Sequence, residues 1–264
     1  MQHERILVIT GPTASGKTAV SLHCAELLDA EIISADSRQV YRGLHIGTAQ
    51  PTAEARARVP HHGIDICETS ETYTAGRFFE DAHTWIRDIL GRGRAVLIVG
   101  GSGLYVRVLL QGLFEGPASD PQLRAGLETR LREEGREALL RELRERDPRM
   151  AEEIDTRNPV RIIRALEVCL LTGQPYSRLR EEDLRRSPHT YVTVAFSWER
   201  SLLHARINAR VDEMMEQGLL DEVRALLAAG VDPFCNALNT VGYKELTAYL
   251  SSSLTYDAAV AQIK

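Results

Sequence analysis

Lysine is almost missing from this chain. The 264 residues carry 32 Lys and Arg together, yet the lysines are only Lys17, Lys244 and Lys264. A chain that otherwise uses Arg keeps Lys at position 17, which suggests a need there for a compact ammonium on a flexible stem and not a planar fork. Cysteine is sparse as well. Cys24, Cys67, Cys169 and Cys235 stand far apart, so their spacing excludes a thiolate metal site, and they read as reduced, buried thiols of a cytosolic protein. No apolar run approaches the length of a bilayer crossing, so no membrane association is expected. Met1 to Arg5 leads straight into an apolar segment, so no leader is expected either. Excess positive charge is also lacking. The net charge of −5 excludes a surface that is basic all over and leaves room for a local basic groove.

What is present is a globular composition, 44% apolar and 26% charged, enough for one large domain or two modest ones. The apolar run Ile6-Leu7-Val8-Ile9 is followed by Gly11-Pro12-Thr13-Ala14-Ser15-Gly16-Lys17-Thr18 and then by a helix-like segment, Ala19 to Leu28. This fits G-x-x-x-x-G-K-[ST] in the strand–loop–helix setting that a phosphate-binding loop requires. Glycines let successive backbone N–H groups point inward, and the following helix presents its positive end. Lys17 supplies a mobile cation for the outer phosphates. The Thr18 hydroxyl is a natural Mg²⁺ ligand.

Glu31-Ile32-Ile33-Ser34 reads as a second strand, delivering Asp36-Ser37-Arg38-Gln39 at its C-terminal end. Open α/β sheets bind ligands at that end, so Asp36 is expected in the same crevice as the phosphate loop. It reads equally as a base, a helix cap or a group behind a metal. His61-His62-Gly63-Ile64-Asp65-Ile66 reads as a loop entering a brief strand. The two histidines have no third ligand nearby, which favours a structural or substrate-contact role. Residues 73–90 read as an amphipathic helix with Phe78, Phe79, Ala82, Trp85, Ile86 and Ile89 on one face. Ala95 to Val99 reads as a central parallel strand. It ends in Gly100-Gly101-Ser102, without the acidic Mg²⁺ residue usual in motor-type nucleoside triphosphatases.

Between Ser119 and Ser187 the character changes. Arg and Glu alternate, and Pro148, Pro159 and Pro175 divide the stretch into short helices. Most of these charges read as solvated helix faces. Arg161 and Arg164 stand out, three apart with no acid between them. Tyr191 to Ser197 returns to strand character, and Arg206 and Arg210 lie four apart on the next helix. The reading is an α/β core of residues 1–118 and 188–264, with a mostly parallel sheet flanked by helices and a helical insertion at 119–187.

GPTASGKT, ADSRQVYRGLHIGTA, VGGSGLY, NPVRIIRALEV and VGYKEL occur in that order. The pattern closely resembles the tRNA dimethylallyltransferase family, also called the IPP transferases. The resemblance implies a P-loop NTPase-like core and dimethylallyl transfer from dimethylallyl diphosphate to N6 of the adenosine beside the anticodon of tRNA. It implies Mg²⁺ as cofactor, a monomer in the cytoplasm, and the anticodon stem-loop as partner. By the same resemblance Asp36 is the base, Lys17, Arg210 and Ser102 serve catalysis, and Gly11 to Thr18 hold the donor diphosphate. Asp36, Ser37, Arg38, Gln39, Ser102, Arg124, Val160, Arg161, Ile162, Ile163 and Arg164 carry over as tRNA contacts. Ser102 stands where the family usually has Thr and keeps the hydroxyl. The family usually continues past the position of Lys264 with an Arg/Lys-rich segment that helps grip tRNA. Transfer to free adenine nucleotides, a small-molecule kinase and a non-enzymatic RNA-binding module are the competing readings.

Overall fold

A computed structural model describes residues 5–114 and 116–264. The chain forms two compact units, Met1–Gln111 with Ser187–Lys264, and Gly112–Arg186. The first holds strands β1 (Arg5–Thr10), β2 (Ala30–Ser34), β3 (His61–His62), β4 (Ala95–Gly100) and β5 (Thr190–Ala195). All pair in parallel, in the order β3-β2-β4-β1-β5. Its helices are α1 (Lys17–Leu28), α2 (Ala53–Arg58), α3 (Ala75–Gly91) and α4 (Gly103–Gln111) before the second unit. The second unit is built from α5 (Pro121–Glu134), α6 (Arg136–Arg146), α7 (Pro148–Glu153), α8 (Pro159–Thr172) and α9 (Tyr176–Glu182). The first unit then resumes with β5, α10 (Arg200–Glu216), α11 (Leu219–Ala228), α12 (Tyr243–Leu250) and α13 (Tyr256–Ile263). Among the described residues no helix is long and apolar enough to cross a membrane.

β2 is buried along its whole length and β4 sits in the middle of the sheet. Strands covered on both faces take a continuous apolar run without polar alternation, which is what Ile32-Ile33 and Val96 to Val99 show. Ile9, Ile32 and Leu97 pack with Ala25 of α1. α3 buries Phe78, Phe79, Ala82, Ile86 and Ile89, one stripe at helical spacing, and Thr74 caps it by accepting from the Arg77 N–H. The third strand is shorter and earlier than the sequence suggests. It consists of His61 and His62 themselves, paired with Ile32 and Ile33.

Glu31, at the N-terminal end of β2, is only 1% exposed. It accepts from Arg92 and Arg94 and lies 2.7 Å from His62 Nε2. The Arg92 hydrogen bonds, set against the burial that opposes ionisation, bring its carboxyl down to about 2. A depressed carboxyl contributes stability above its unfolded value near 4.3, and that stability disappears as pH falls toward 2. The urea midpoint of the wild type should therefore fall more steeply between pH 4.5 and pH 2, by roughly the linkage slope of one proton, than that of Glu31→Gln. Equal slopes would contradict this role for Glu31.

The second unit begins at Gly112, before the expected Ser119. Leu113 and Arg185 exchange both backbone hydrogen bonds at 2.9 Å, which ties the two ends of the segment together. Its core unites Leu127, Leu139, Leu140, Leu143, Met150, Ile162, Ile163 and Leu166. Buried Asp147 caps α7 through the Met150 N–H and also accepts from the Ser177 N–H and hydroxyl at 2.7 Å. Ile162 and Ile163, expected in a tRNA-contact stretch, are 0% and 4% exposed. Their side chains belong to this core and present no contact surface. Arg161 and Val160 are exposed on the same helix.

Arg164 also departs from expectation. It donates to Glu167 at 2.8 Å and to the Pro117 carbonyl at 2.9 Å, and Glu167 is fully buried. Ser119 and the Asp120 N–H donate to the other Glu167 oxygen, and Arg124 reaches the Ser119 hydroxyl at 3.2 Å. The acid that takes Arg164 comes three residues after it, on the next turn of α8. Arg164→Ala should cost about 3 kcal/mol of stability by stranding a buried carboxylate. Arg161→Ala should leave the melting temperature unchanged. Thermal melts of the two variants check this, and equal losses would contradict it.

Candidate functional site: a phosphate loop beside a carboxylate crevice

The loop after β1 turns on residues that accept unusual backbone angles. Gly16, which precedes α1, sits at φ +91°, a conformation open to glycine and strained for other residues. Ala14 takes φ +56° without that freedom. Its carbonyl is held from outside by Arg206 Nε at 2.8 Å. Trp198 Nε1 donates to the Ser15 carbonyl at 3.1 Å, and the Arg206 guanidinium lies over the Trp198 ring at 4.6 Å. Arg210 donates to the Thr13 hydroxyl at 3.2 Å. The i,i+4 pair of Arg206 and Arg210 thus converges on the loop, as their spacing on α10 permits.

Lys17 folds back onto the Gly11 and Pro12 carbonyls at 2.9 and 2.6 Å. Burial lowers the Lys17 ammonium below its ordinary range, partly offset by Asp36 and reinforced by Arg210. Burial also lowers Arg210, against the pull of Asp36 and Glu213. Two desolvated cations beside the N-terminus of α1 form a site that an anion would relieve. The buried Ser15 hydroxyl has no hydrogen-bond partner among the described residues. Ser15 lines a cavity of about 400 Å³ with Lys17, Thr18, Arg206 and Arg210. These are groups suited to a diphosphate.

Asp36 sits where β2 ends. Its Oδ1 accepts from the Arg38 N–H at 2.8 Å and the Gln39 N–H at 3.3 Å. One oxygen therefore fixes the turn, the capping role the sequence left open, and the other remains for chemistry. The Ser37 N–H donates to the Ser102 hydroxyl at 2.8 Å, joining the ends of β2 and β4. Gln39 accepts from Ser34 and donates to the Thr48 and Ala49 carbonyls at 3.2 Å. Arg38 donates to the Asn236 carbonyl. Asp36, Arg38, Thr13, Arg210, Gly47 and Thr48 line one cavity of about 430 Å³ whose other walls include Ile207, Val211 and Met214. A smaller one, about 50 Å³, joins Thr18 and Ser34 to Asp36.

The structure therefore brings Lys17, Thr18, Asp36, Ser37, Arg38, Gln39, Ser102 and Arg210 to one end of the sheet. Arg124 and Val160 to Arg164 belong to the other unit. His61 and His62 hold the Val59 carbonyl and Glu31 respectively. Among the described residues no cluster of three His, Cys, Asp or Glu side chains could hold a metal. Sequence reasoning missed Trp198, and it also missed Glu222 of α11. Glu222 accepts from the Ile46 N–H at 2.9 Å, the His45 N–H at 3.1 Å and the Tyr243 hydroxyl at 2.6 Å. No local pattern marks either residue; the contact that reveals Glu222's partner is made across the chain, where a Cβ at Gly47 would meet the Tyr243 ring at 2.4 Å.

A family model described as IPP transferase matches residues 39–264. A tRNA dimethylallyltransferase of Geobacter metallireducens is 44% identical over 261 residues, 98% of this chain and 84% of that protein. The crystal structure of a tRNA isopentenylpyrophosphate transferase from Bacillus halodurans is 40% identical with a TM-score of 0.70, covering 98% of this chain and 82% of that one. A eukaryotic dimethylallyltransferase acting on tRNA shares the fold, at a TM-score of 0.81 and 24% identity, over 98% of this chain and 66% of that one.

Proposed function

Because the chain belongs to the IPP transferase family, we propose that it transfers a dimethylallyl group from dimethylallyl diphosphate to N6 of the adenosine beside the anticodon of tRNA. The observation that carries this reading is the placement of Asp36 and Arg210 in one cavity at the mouth of the phosphate loop. The exocyclic amine of adenine is a weak nucleophile, so the reaction needs a base at N6 and charge stabilisation on the departing diphosphate. A bond forms from N6 to the allylic carbon, the carbon–oxygen bond to diphosphate breaks, and the N6 proton passes to the Asp36 carboxylate. Lys17, Arg210 and the loop N–H groups hold the diphosphate as it leaves. The Ser102 hydroxyl keeps the Asp36 turn in register through Ser37.

Mg²⁺ fits the donors present. Thr18 supplies a hard oxygen beside Asp36, and Mg²⁺ takes few protein ligands and keeps waters and phosphate oxygens. When bound it would neutralise charge on the diphosphate. Exposed Arg161 and Val160 on α8 and Arg124 on α5 are the second unit's groups for the anticodon stem-loop. The target base must leave its stack before N6 is reached, and phosphate contacts hold the strand meanwhile. With tRNA as acceptor, the cytoplasm is the proposed site of action and a monomer the proposed acting form.

Arg161→Ala should raise the KM for an anticodon stem-loop about threefold to tenfold and flatten its salt dependence, with donor KM unchanged. An unchanged salt slope would remove Arg161 from the interface. The function itself is tested by incubating the protein with labelled dimethylallyl diphosphate and either the stem-loop or AMP. Label is expected in the stem-loop. Label in AMP alone would replace this reading with transfer to free nucleotides, and ATP turnover without prenyl transfer would replace it with a kinase.

A further inference from the structure

Residues 45–47 carry three successive backbone N–H groups, and a single carboxylate collects them. Glu222 lies within 3.4 Å of the His45, Ile46 and Gly47 nitrogens. The Tyr243 hydroxyl donates to Glu222 at 2.6 Å and accepts from the Gly47 N–H at 3.1 Å. Tyr243 is fully buried, and its ring fills the space beside Gly47 that any side chain there would need. The loop is thus gripped from the far end of the chain by α11 and α12. Its next two residues hand the constraint on. The Thr48 and Ala49 carbonyls accept from the Gln39 amide, and the Gln39 N–H is one of the two donors that fix Asp36 Oδ1. Gly47 and Thr48 also line the cavity that holds Asp36 and Arg210.

We propose that Glu222 and Tyr243 are positioning residues for Asp36, acting through the 45–49 loop and Gln39, so that the base faces the acceptor in one orientation. Neither residue touches a reacting atom in this assignment. Glu222 is not needed to hold the sheet, since its partners are loop amides and one phenol. A constraint passed along four hydrogen-bonded links acts on the proton-transfer step and leaves the diphosphate-binding loop alone.

This inference rests on the prenyl-transfer reading for its kinetic arm, and a second readout is independent of activity. Full-length Glu222→Ala, Glu222→Gln and Tyr243→Phe are compared with wild type. Glu222→Ala should lower kcat about thirtyfold with the KM for dimethylallyl diphosphate within about twofold. Glu222→Gln keeps one acceptor oxygen and should recover part of that loss. Tyr243→Phe keeps the ring against Gly47 and should lose about threefold. Amide exchange at His45, Ile46 and Gly47 should accelerate in the same order. If exchange rises while kcat holds, the clamp exists and does not position Asp36, which overturns the proposal. If kcat and donor KM shift together with a lowered melting temperature, the residues are merely structural, and the proposal fails too. If the amides of 45–47 exchange equally fast in all four proteins, there is no clamp. A wild type that labels no stem-loop would instead refute the proposed function.

Discussion

Replacing Asp36 with Asn is expected to lower kcat by about 10²–10⁴-fold, the range that general-base catalysis contributes. Asn is the informative substitution. Its side-chain oxygen can still accept from the Arg38 and Gln39 N–H groups that Asp36 Oδ1 holds at 2.8 and 3.3 Å, so the turn survives and only the proton acceptor is lost. Asp36→Ala removes both, and a further loss in Ala over Asn measures the positioning part. The donor should still bind Asp36→Asn, because Lys17, Arg206 and Arg210 bond to the phosphate loop itself. Pyrophosphate affinity by calorimetry and single-turnover transfer to a stem-loop separate the two. A kcat within threefold of wild type would remove Asp36 as the base.

The Lys17→Ala enzyme is expected to lose donor affinity and rate together. In the structure the ammonium is satisfied by the Gly11 and Pro12 carbonyls, so diphosphate binding exchanges carbonyl partners for phosphate oxygens. A charge-assisted bond to phosphate is worth about 1.5–3 kcal/mol in binding, or roughly 10–100-fold in donor KM. Because negative charge grows on the diphosphate as the carbon–oxygen bond breaks, kcat should fall by about 10²-fold as well. Lys17→Arg should not restore it, since a planar fork is a poor substitute for a compact ammonium folded between two carbonyls. Donor KM and kcat both unchanged in Lys17→Ala would contradict the assignment.

The phosphate loop, the strand that precedes it and the central strand at 95–100 were legible because each is a local pattern. Spacing alone places Gly16 and Lys17 where the loop turns into α1. The same holds for the stripe on α3 and for the helical character of the inserted segment. Partnerships across the chain were not legible in this way. Arg161 and Arg164 read as a pair of tRNA contacts with no acid between them, yet the acid that pairs with Arg164 comes three residues later and is buried. The stretch from Val160 to Arg164 reads as one contact surface in sequence, whereas helical geometry sends Ile162 and Ile163 inward and leaves Arg161 outside. Glu222 grips a loop about 175 residues before it, and no periodicity within α11 marks it. His61 and His62 read as structural or substrate-contact residues in a loop, and only the sheet shows that they are its edge strand.

Prenyl transfer to the adenosine beside the anticodon can be read from a nucleoside digest. Total tRNA from cells with and without this gene is digested and its nucleosides are separated by mass. Adenosine carrying a dimethylallyl group on N6 is expected to disappear from the cells that lack the gene. The gene should restore this nucleoside, and the Asp36→Asn version should not. Identical digests with and without the gene would contradict prenyl transfer.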